Sequence, residues 1–276
     1  MTIRRGAELG AQIAELNVPA GMLALWALGQ SGVVVKSSRT LAVIDPYLSD
    51  ALQGMGAPEP CFPPPLEPAM LRGVDLVLCT HEHPDHTDPA TLKPLLAASP
   101  DAQLVASAQS LQILEAAGID TTRAIVPTLG ERYTIADGDY RAIPAAHYQL
   151  EIEAGRSRWM GFVLNCGGMT LLHTGDTILV PEIYAALSGT PIDLALLPIN
   201  GRDYFREQQD LIGNMLPREA TQFAHEIGAQ VLIAIHNDLL PNNRLNPAEL
   251  WDDLDRRFPR QRCHLLQPGE LYLYVA

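Results

Sequence analysis

Apolar residues run along this chain in short, almost unbroken blocks whose period changes from one block to the next. Residues 7–16 carry the spacing of a short amphipathic helix. LALWALG (23–29), VVVKS (33–37) and LAVID (41–45) then read as strands parted by Gly-Gln-Ser-Gly and Ser-Arg-Thr turn signals, which predicts an antiparallel meander. Residues 51–70 hold six prolines, Pro63-Pro64-Pro65 among them, a density that excludes a helix or central strand. So long an irregular loop is either a plain connector or a flap over a site. DLVLCT (75–80) is a strand, 89–98 a helix with Asp88 as N-cap and Pro89 in its first turn, 102–107 a strand, and 108–118 a helix closed by Gly118. Strand patterns fill 123–175: RAIVP, RYTIA, DYRAIPAA, WMGFVLNC and MTLLHTG. The last third alternates again, with helices over 178–188, 217–228 and 247–257 and strands over 192–198, 230–235, 262–266 and 271–275. Two meanders joined by crossover helices predict two packed sheets with helices outside, an α/β chain forming a single domain over residues 1–276.

Composition narrows the functional classes. A hydrophobic fraction of 47% excludes intrinsic disorder. A formal charge of −13 argues against nucleic acid as a partner and against a polybasic membrane anchor. The longest apolar run, 19–35, is cut by Gly29, Gln30, Ser31 and Gly32 and is too short to span a bilayer. No apolar stretch follows Arg4 and Arg5, so no secretory signal is visible. Cysteines 61, 79, 166 and 263 form no CxxC pair. Together these predict reduced thiols and a cytoplasmic location.

The chemistry concentrates in THEHPDH (80–86), directly after a buried-looking strand. In an extended turn His81 and His83 point to one side and can close on one ion. Asp85 and His86, past Pro84, can face a second. Imidazole and carboxylate together suit Zn²⁺, Mn²⁺ or Fe²⁺. The bland alternative is a solvated polar loop. Two ions need further ligands, aimed from rigid strand ends, and three residues meet that test: His147 after 139–146, Asp176 after LLHTG, and His236 after QVLIAI. Taken singly, each of these is more often a cap or a core residue.

HxHxDH followed by a His, a Gly-Asp and a final His at these intervals resembles the metallo-β-lactamase fold superfamily over nearly the whole chain. The resemblance implies a four-layer αββα sandwich with a dinuclear site along one edge of its sheets. Carried over by position, His81, His83 and His147 would bind the first metal, Asp85, His86 and His236 the second, and Asp176 would bridge them. The runs PINGRDYFREQQDLIGNM (198–215), WALGQSGVVVKSS (26–38) and IDPYLSD (44–50) are similar to the L-ascorbate-6-phosphate lactonase-like branch, whose members open a phosphorylated sugar lactone with a divalent metal, manganese in the best-known case. Two departures stand out. The stretch between His147 and Trp159 is compact, and Gln30 stands where many relatives carry His.

The reaction expected from this resemblance is attack of a metal-bridged hydroxide on an ester or lactone carbonyl, with two divalent ions (Zn or Mn) as cofactors and a small-molecule substrate that can be phosphorylated. Asp85 is the residue expected to orient the water and shuttle its proton. Metal-bound imidazoles need a partner to fix their tautomer. Asp45, closing a strand at IDP, is a candidate for that, or else simply starts an Asp-Pro turn. His173 is expected to pack beside the ligands without being one. Arg202, Tyr204 and Arg206 offer contacts to a substrate phosphate, the alternative being structural or interface arginines. Asn214 joins them by resemblance alone. Other readings are a phosphodiesterase or thioester hydrolase on the same scaffold, and, in another class, a non-catalytic metal-binding protein. The resemblance also suggests assembly into a homo-oligomer.

Overall fold

The turn signals at Gly29–Gly32 and Ser37–Thr40 produce the expected meander: β1 (Met22–Gly29), β2 (Gly32–Lys36) and β3 (Leu41–Ile44) pair antiparallel in succession. The computed structural model of the chain describes residues 3–147 and 149–275. β4 (Leu76–Leu78) and β5 (Gln103–Val105) extend the same sheet in parallel, beyond β3. A second sheet contains β6 (Tyr133–Ile135) and β7 (Gly138–Pro144). A small hairpin, β8 (Ile152–Glu153) with β9 (Arg156–Ser157), follows them in the chain. The second sheet continues with β10 (Met160–Cys166), β11 (Met169–His173), β12 (Leu194–Pro198), β13 (Val231–Ile235) and β14 (Arg262–His264). β15 (Leu271–Val275) returns to the first sheet and covers the outer edge of β1.

The central strands β1–β4 and β11–β13 are apolar at nearly every position because both faces of each sheet are covered there. Along β1, Leu23 and Leu25 face the second sheet, where they meet a core containing Phe162, Leu164, Leu171, Leu196 and Ile233. Ala24, Trp26 and Leu28 face outward, onto α1 (Gly6–Glu15) and the helices beyond it. The Trp26 indole finds its partner there, donating to Gln12 Oε1 at 3.0 Å. After α2 (Ala51–Gly54), the helices α3 (Pro89–Ala98) and α4 (Ala108–Ala116) add Leu92, Leu95 and Leu114 to that outer core. On the far side α5 (Pro181–Leu187) precedes a single turn, α6 (Tyr204–Glu207). α7 (Pro217–Glu226) and α8 (Ala248–Arg257) bury Phe223, Leu250 and Leu254 against the second sheet, beside Ile183 and Leu187 of α5. The result is the four-layer αββα sandwich.

Two local expectations change. The segment 51–70 is not wholly irregular: α2 forms ahead of Pro58, and Pro68 starts a 3-10 turn (Pro68–Met70), where its missing N–H is no loss. RAIVP contributes only an isolated bridge, Ile125 to Val105, on the free edge of β5, where Ile125 alone exchanges backbone hydrogen bonds, with Leu104 and Ala106. Among the described residues no helix is long and apolar enough to cross a membrane.

Candidate metal centre

One edge of the sandwich is where the polar residues converge. The turn after β4 holds His81, His83, Asp85 and His86; it is closed by the amides of His86 and Thr87 donating to the His83 carbonyl, and ends on α3, whose N-cap Asp88 accepts from Ala90 and Thr91. His147 follows β7, Asp176 follows β11, and His236 directly follows β13. The structure brings all seven together. Within 4.8 Å of one another lie ligand atoms of His81, His83 and His147, of His81, His86 and Asp176, and of Asp85, His86 and His236.

Their spacing has a physical meaning. His236 Nε2 lies 3.1 Å from Asp176 Oδ2 and 3.3 Å from Asp85 Oδ2. His86 Nε2 lies 3.3 Å from Asp176 Oδ1, and His147 Nε2 is 3.2 Å from His83 Nδ1. His81 Nε2 is buried and has no hydrogen-bond partner among the described residues. Donor atoms held about 2.1 Å from one tetrahedral ion sit about 3.4 Å apart, so lone pairs crowded at this spacing fit a shared cation. The donor set, imidazole nitrogens and carboxylate oxygens, fits divalent ions of the borderline-hard kind.

The partners behind the imidazoles set which nitrogen faces the centre. Asp45, fully buried, accepts from the Thr80 amide at 2.7 Å and the Thr80 hydroxyl at 2.6 Å. It also accepts from His86 Nδ1 at 2.7 Å, which leaves the His86 Nε2 lone pair for the centre. With its proton committed to Asp45, Thr80 Oγ1 can only accept from His81 Nδ1 at 3.0 Å, and His81 Nε2 is freed in the same way. His173 uses both nitrogens elsewhere: Nε2 donates to the Ser31 carbonyl at 2.9 Å, and Nδ1 accepts from the Gly175 amide at 3.1 Å. It thus ties the β1–β2 turn to the residue before Asp176.

Electrostatics follow from burial and the two acids. Burial drives His81 well below its ordinary range and brings His147 down to about 4. For His86, burial works against the charge, but Asp176, Asp85 and Asp45 outweigh it and hold the imidazole well above its usual value. His236 is raised to about 10, burial again being outweighed by Asp176 and Asp85. Asp85 and Asp176 are correspondingly depressed: burial opposes ionisation, and the facing histidines overcome it.

In the sequence Gln30 stands out only as a departure from relatives that carry His, and its contacts are not visible there. Its Nε2 donates to Asp85 Oδ2 at 2.8 Å and lies 3.1 Å from His236 Nε2. The backbone is locked there too, His236 N donating to Gln30 O at 2.8 Å and Gln30 N to Asp238 Oδ1 at 2.9 Å. Gln30, Asp45 and His236 all have left-handed backbones, with φ of 54°, 45° and 57°. Such a conformation costs a non-glycine residue about 1 kcal/mol, and is held here by the surrounding bonds. A glutamine in the turn between Gly29 and Gly32, at a position where many relatives carry His, was the available signal.

A cavity of about 470 Å³ opens above His83, Asp85, His147, Asp176 and His236. Leu52, Met55 and Pro58 place the proline-rich segment on one wall, so part of 51–70 does cover the site. Leu211, Ile212 and Leu240 add further apolar surface. None of Arg202, Tyr204, Arg206 and Asn214 is among the described residues lining this cavity. Arg202 makes a bidentate pair with Glu219 at 2.7 and 2.8 Å, bracing the start of α7. Tyr204 is 67% exposed. Arg206 is buried on Asp203 and the Asn200 carbonyl, and Asn214 Nδ2 donates to Asn200 Oδ1.

Two mixed sheets face to face, with helices outside and a His/Asp cluster at one sheet edge, define a metallo-β-lactamase fold. Residues 41–237 match the family described as Beta-lactamase superfamily domain, and the chain belongs to that superfamily. It is 29% identical over 249 residues to a UPF0173 metal-dependent hydrolase of Opitutus terrae, covering 88% of this chain and 96% of the relative. Among solved structures, a metallo hydrolase from Ignicoccus hospitalis superposes with a TM-score of 0.67 at 21% identity, over 92% of this chain and 98% of that one. An isothiocyanate hydrolase from Delia radicum gut bacteria gives 0.70 at 18% identity, over 92% and 100%. These two likenesses speak to the fold alone.

Proposed function

We propose that the chain is a metal-dependent hydrolase that opens an ester or lactone in a small molecule. The observation carrying this reading is the set of buried and half-buried imidazole and carboxylate atoms facing one another at 3.1–3.3 Å beneath an open cavity. His81, His83 and His147 would hold one divalent cation, Asp85, His86 and His236 a second, with Asp176 between them. Bound there, the cations supply Lewis acidity and a water acidic enough to ionise near neutral pH. Asp85 stays a carboxylate, and with Oδ2 engaged by Gln30 it offers Oδ1 to orient the attacking water and take its proton. Asp45 and Thr80 keep the His86 and His81 lone pairs aimed at the centre. Overall the acyl C–O bond breaks, a bond from the carbonyl carbon to water's oxygen forms, and a proton passes to the leaving alkoxide. The similarity to the lactonase-like branch supports lactone opening as the reaction class.

The test is metal analysis of the purified protein together with turnover of lactones, thioesters and phosphodiesters, with Mn²⁺ and Zn²⁺ supplied separately. Lactone or ester hydrolysis is expected to require added metal, to vanish with chelator, and to fall by roughly a thousandfold in Asp176→Asn, a loss of about 4 kcal/mol. Preferential thioester or phosphodiester cleavage would overturn the substrate class, and a protein that takes up no divalent cation would overturn the reading altogether.

A further inference from the structure

The wall of the metal cavity carries a charge pattern that the proposed reaction does not use. No Lys or Arg stands among the described residues lining it. Its polar rim consists of the amides Gln209, Asn242 and Asn243 and the carboxylate of Asp210. The arginines of the neighbouring loop are committed to other acids, Arg202 to Glu219 and Arg206 to Asp203.

Arg206 has a different effect on the cavity, exerted through Asn243. Its Nη1 donates to Asn243 Oδ1 at 3.1 Å, and Asn200 Nδ2 donates to the same oxygen at 2.9 Å. A guanidinium can only donate, so this contact fixes which end of the Asn243 amide is oxygen. With Oδ1 engaged inside the protein, the N–H donors are what Asn243 has left for the cavity.

We propose that the site takes an uncharged ester or lactone with an apolar body and a hydrogen-bond acceptor for Asn243, and selects against phosphorylated or carboxylated substrates. An anionic substituent would find no side-chain cation on the wall, and would meet Asp210 on the rim. Its nearest favourable partner would be the centre itself, where it takes the place needed by the scissile carbonyl. Arg206 is a positioning residue in this scheme, acting through Asn243.

This inference rests on the hydrolase reading and narrows its substrate. The experiment uses metal-loaded protein and two matched rings, an alkyl lactone and the same lactone carrying a phosphate, with calorimetric binding of the two corresponding unstrained lactams, recovered intact after the titration. The neutral lactone is expected to exceed its phosphorylated partner more than tenfold in kcat/KM, and the lactams to bind in the same order. Asp210→Lys should narrow that gap at low salt. Asn243→Ala should raise KM for the neutral lactone several-fold with little change in kcat, and Arg206→Ala should follow it in the same direction. Equal or better turnover or binding of the phosphorylated compounds overturns the inference and leaves the hydrolase standing. Turnover of neither ring with cations bound defeats the lactone reading of the hydrolase, while the lactam comparison still judges the charge preference.

Discussion

Asp45 and Gln30 show how a residue can matter to a centre without being one of its ligands. Asp45 holds His86 directly and His81 through Thr80, whereas the Gln30 side chain donates to Asp85 and lies beside His236 without fixing either imidazole from behind. Loss of such orienting partners typically weakens metal affinity about 10–100-fold. Asp45→Asn is therefore expected near the upper end of that range and Gln30→Leu near the lower, measured by competition with a chelating indicator; equal affinities in wild type and both variants would contradict this arrangement. The seven clustered residues were legible in the sequence because His and Asp are chemically distinctive and each followed an apolar strand. Gln30 was not, because its partners lie 55 and 206 positions away and only the fold joins them. Whether Arg202 serves a substrate or the fold was open for a related reason: an arginine in a sequence does not display the glutamate 17 residues on that pairs with it.

Elements deliver these side chains by where they stop. β4, β7, β11 and β13 all end at one edge, and Gly175 makes the turn after β11 that presents Asp176. Gly175 has φ of +62°, and a Cβ there would lie 2.8 Å from both the Met160 carbonyl oxygen and Thr80 Cβ. Gly175→Ala should accordingly lose about 2 kcal/mol or more of stability and displace Asp176, read as a lower unfolding midpoint together with weaker metal uptake. Unchanged values would mean that the turn tolerates a shift which these contacts forbid. Strand and helix positions were legible at this scale because period and caps are local signals, Asp88 before Pro89 being an example. The 51–70 segment was only half legible, since proline counting says where regular structure fails but not that Leu52 and Met55 will sit over a cavity.

Across the whole molecule, four of the candidate ligands hang from the first sheet and three from the second, so cations held by them would tie the two sheets together. Without them, protons must do that work. Burial lowers His236, but Asp176 and Asp85 outweigh it and set the folded value at about 10, above the ordinary 6.5. Protonated His236 therefore stabilises the metal-free fold fully below about pH 6.5, and that contribution is lost as pH rises through about 10. Asp85 and Asp176 act in the opposite sense, their stabilisation present at neutral pH and lost in acid. Cations displace the protons, so metal affinity should rise with pH, and the gap in Tm between metal-loaded and chelated protein should widen from pH 7 to 10. A gap that shrinks over that range would show that the imidazoles are not the groups being exchanged. The cavity above the cluster has a separate origin, for its walls come from residues 52–58, 209–212 and 240–243, which lie outside the strands of both sheets. Reactivity and selectivity are thus written in different parts of the chain: exchanging those three surface segments between homologues can retune what is recognised while the strand-borne apparatus that cuts it is inherited whole.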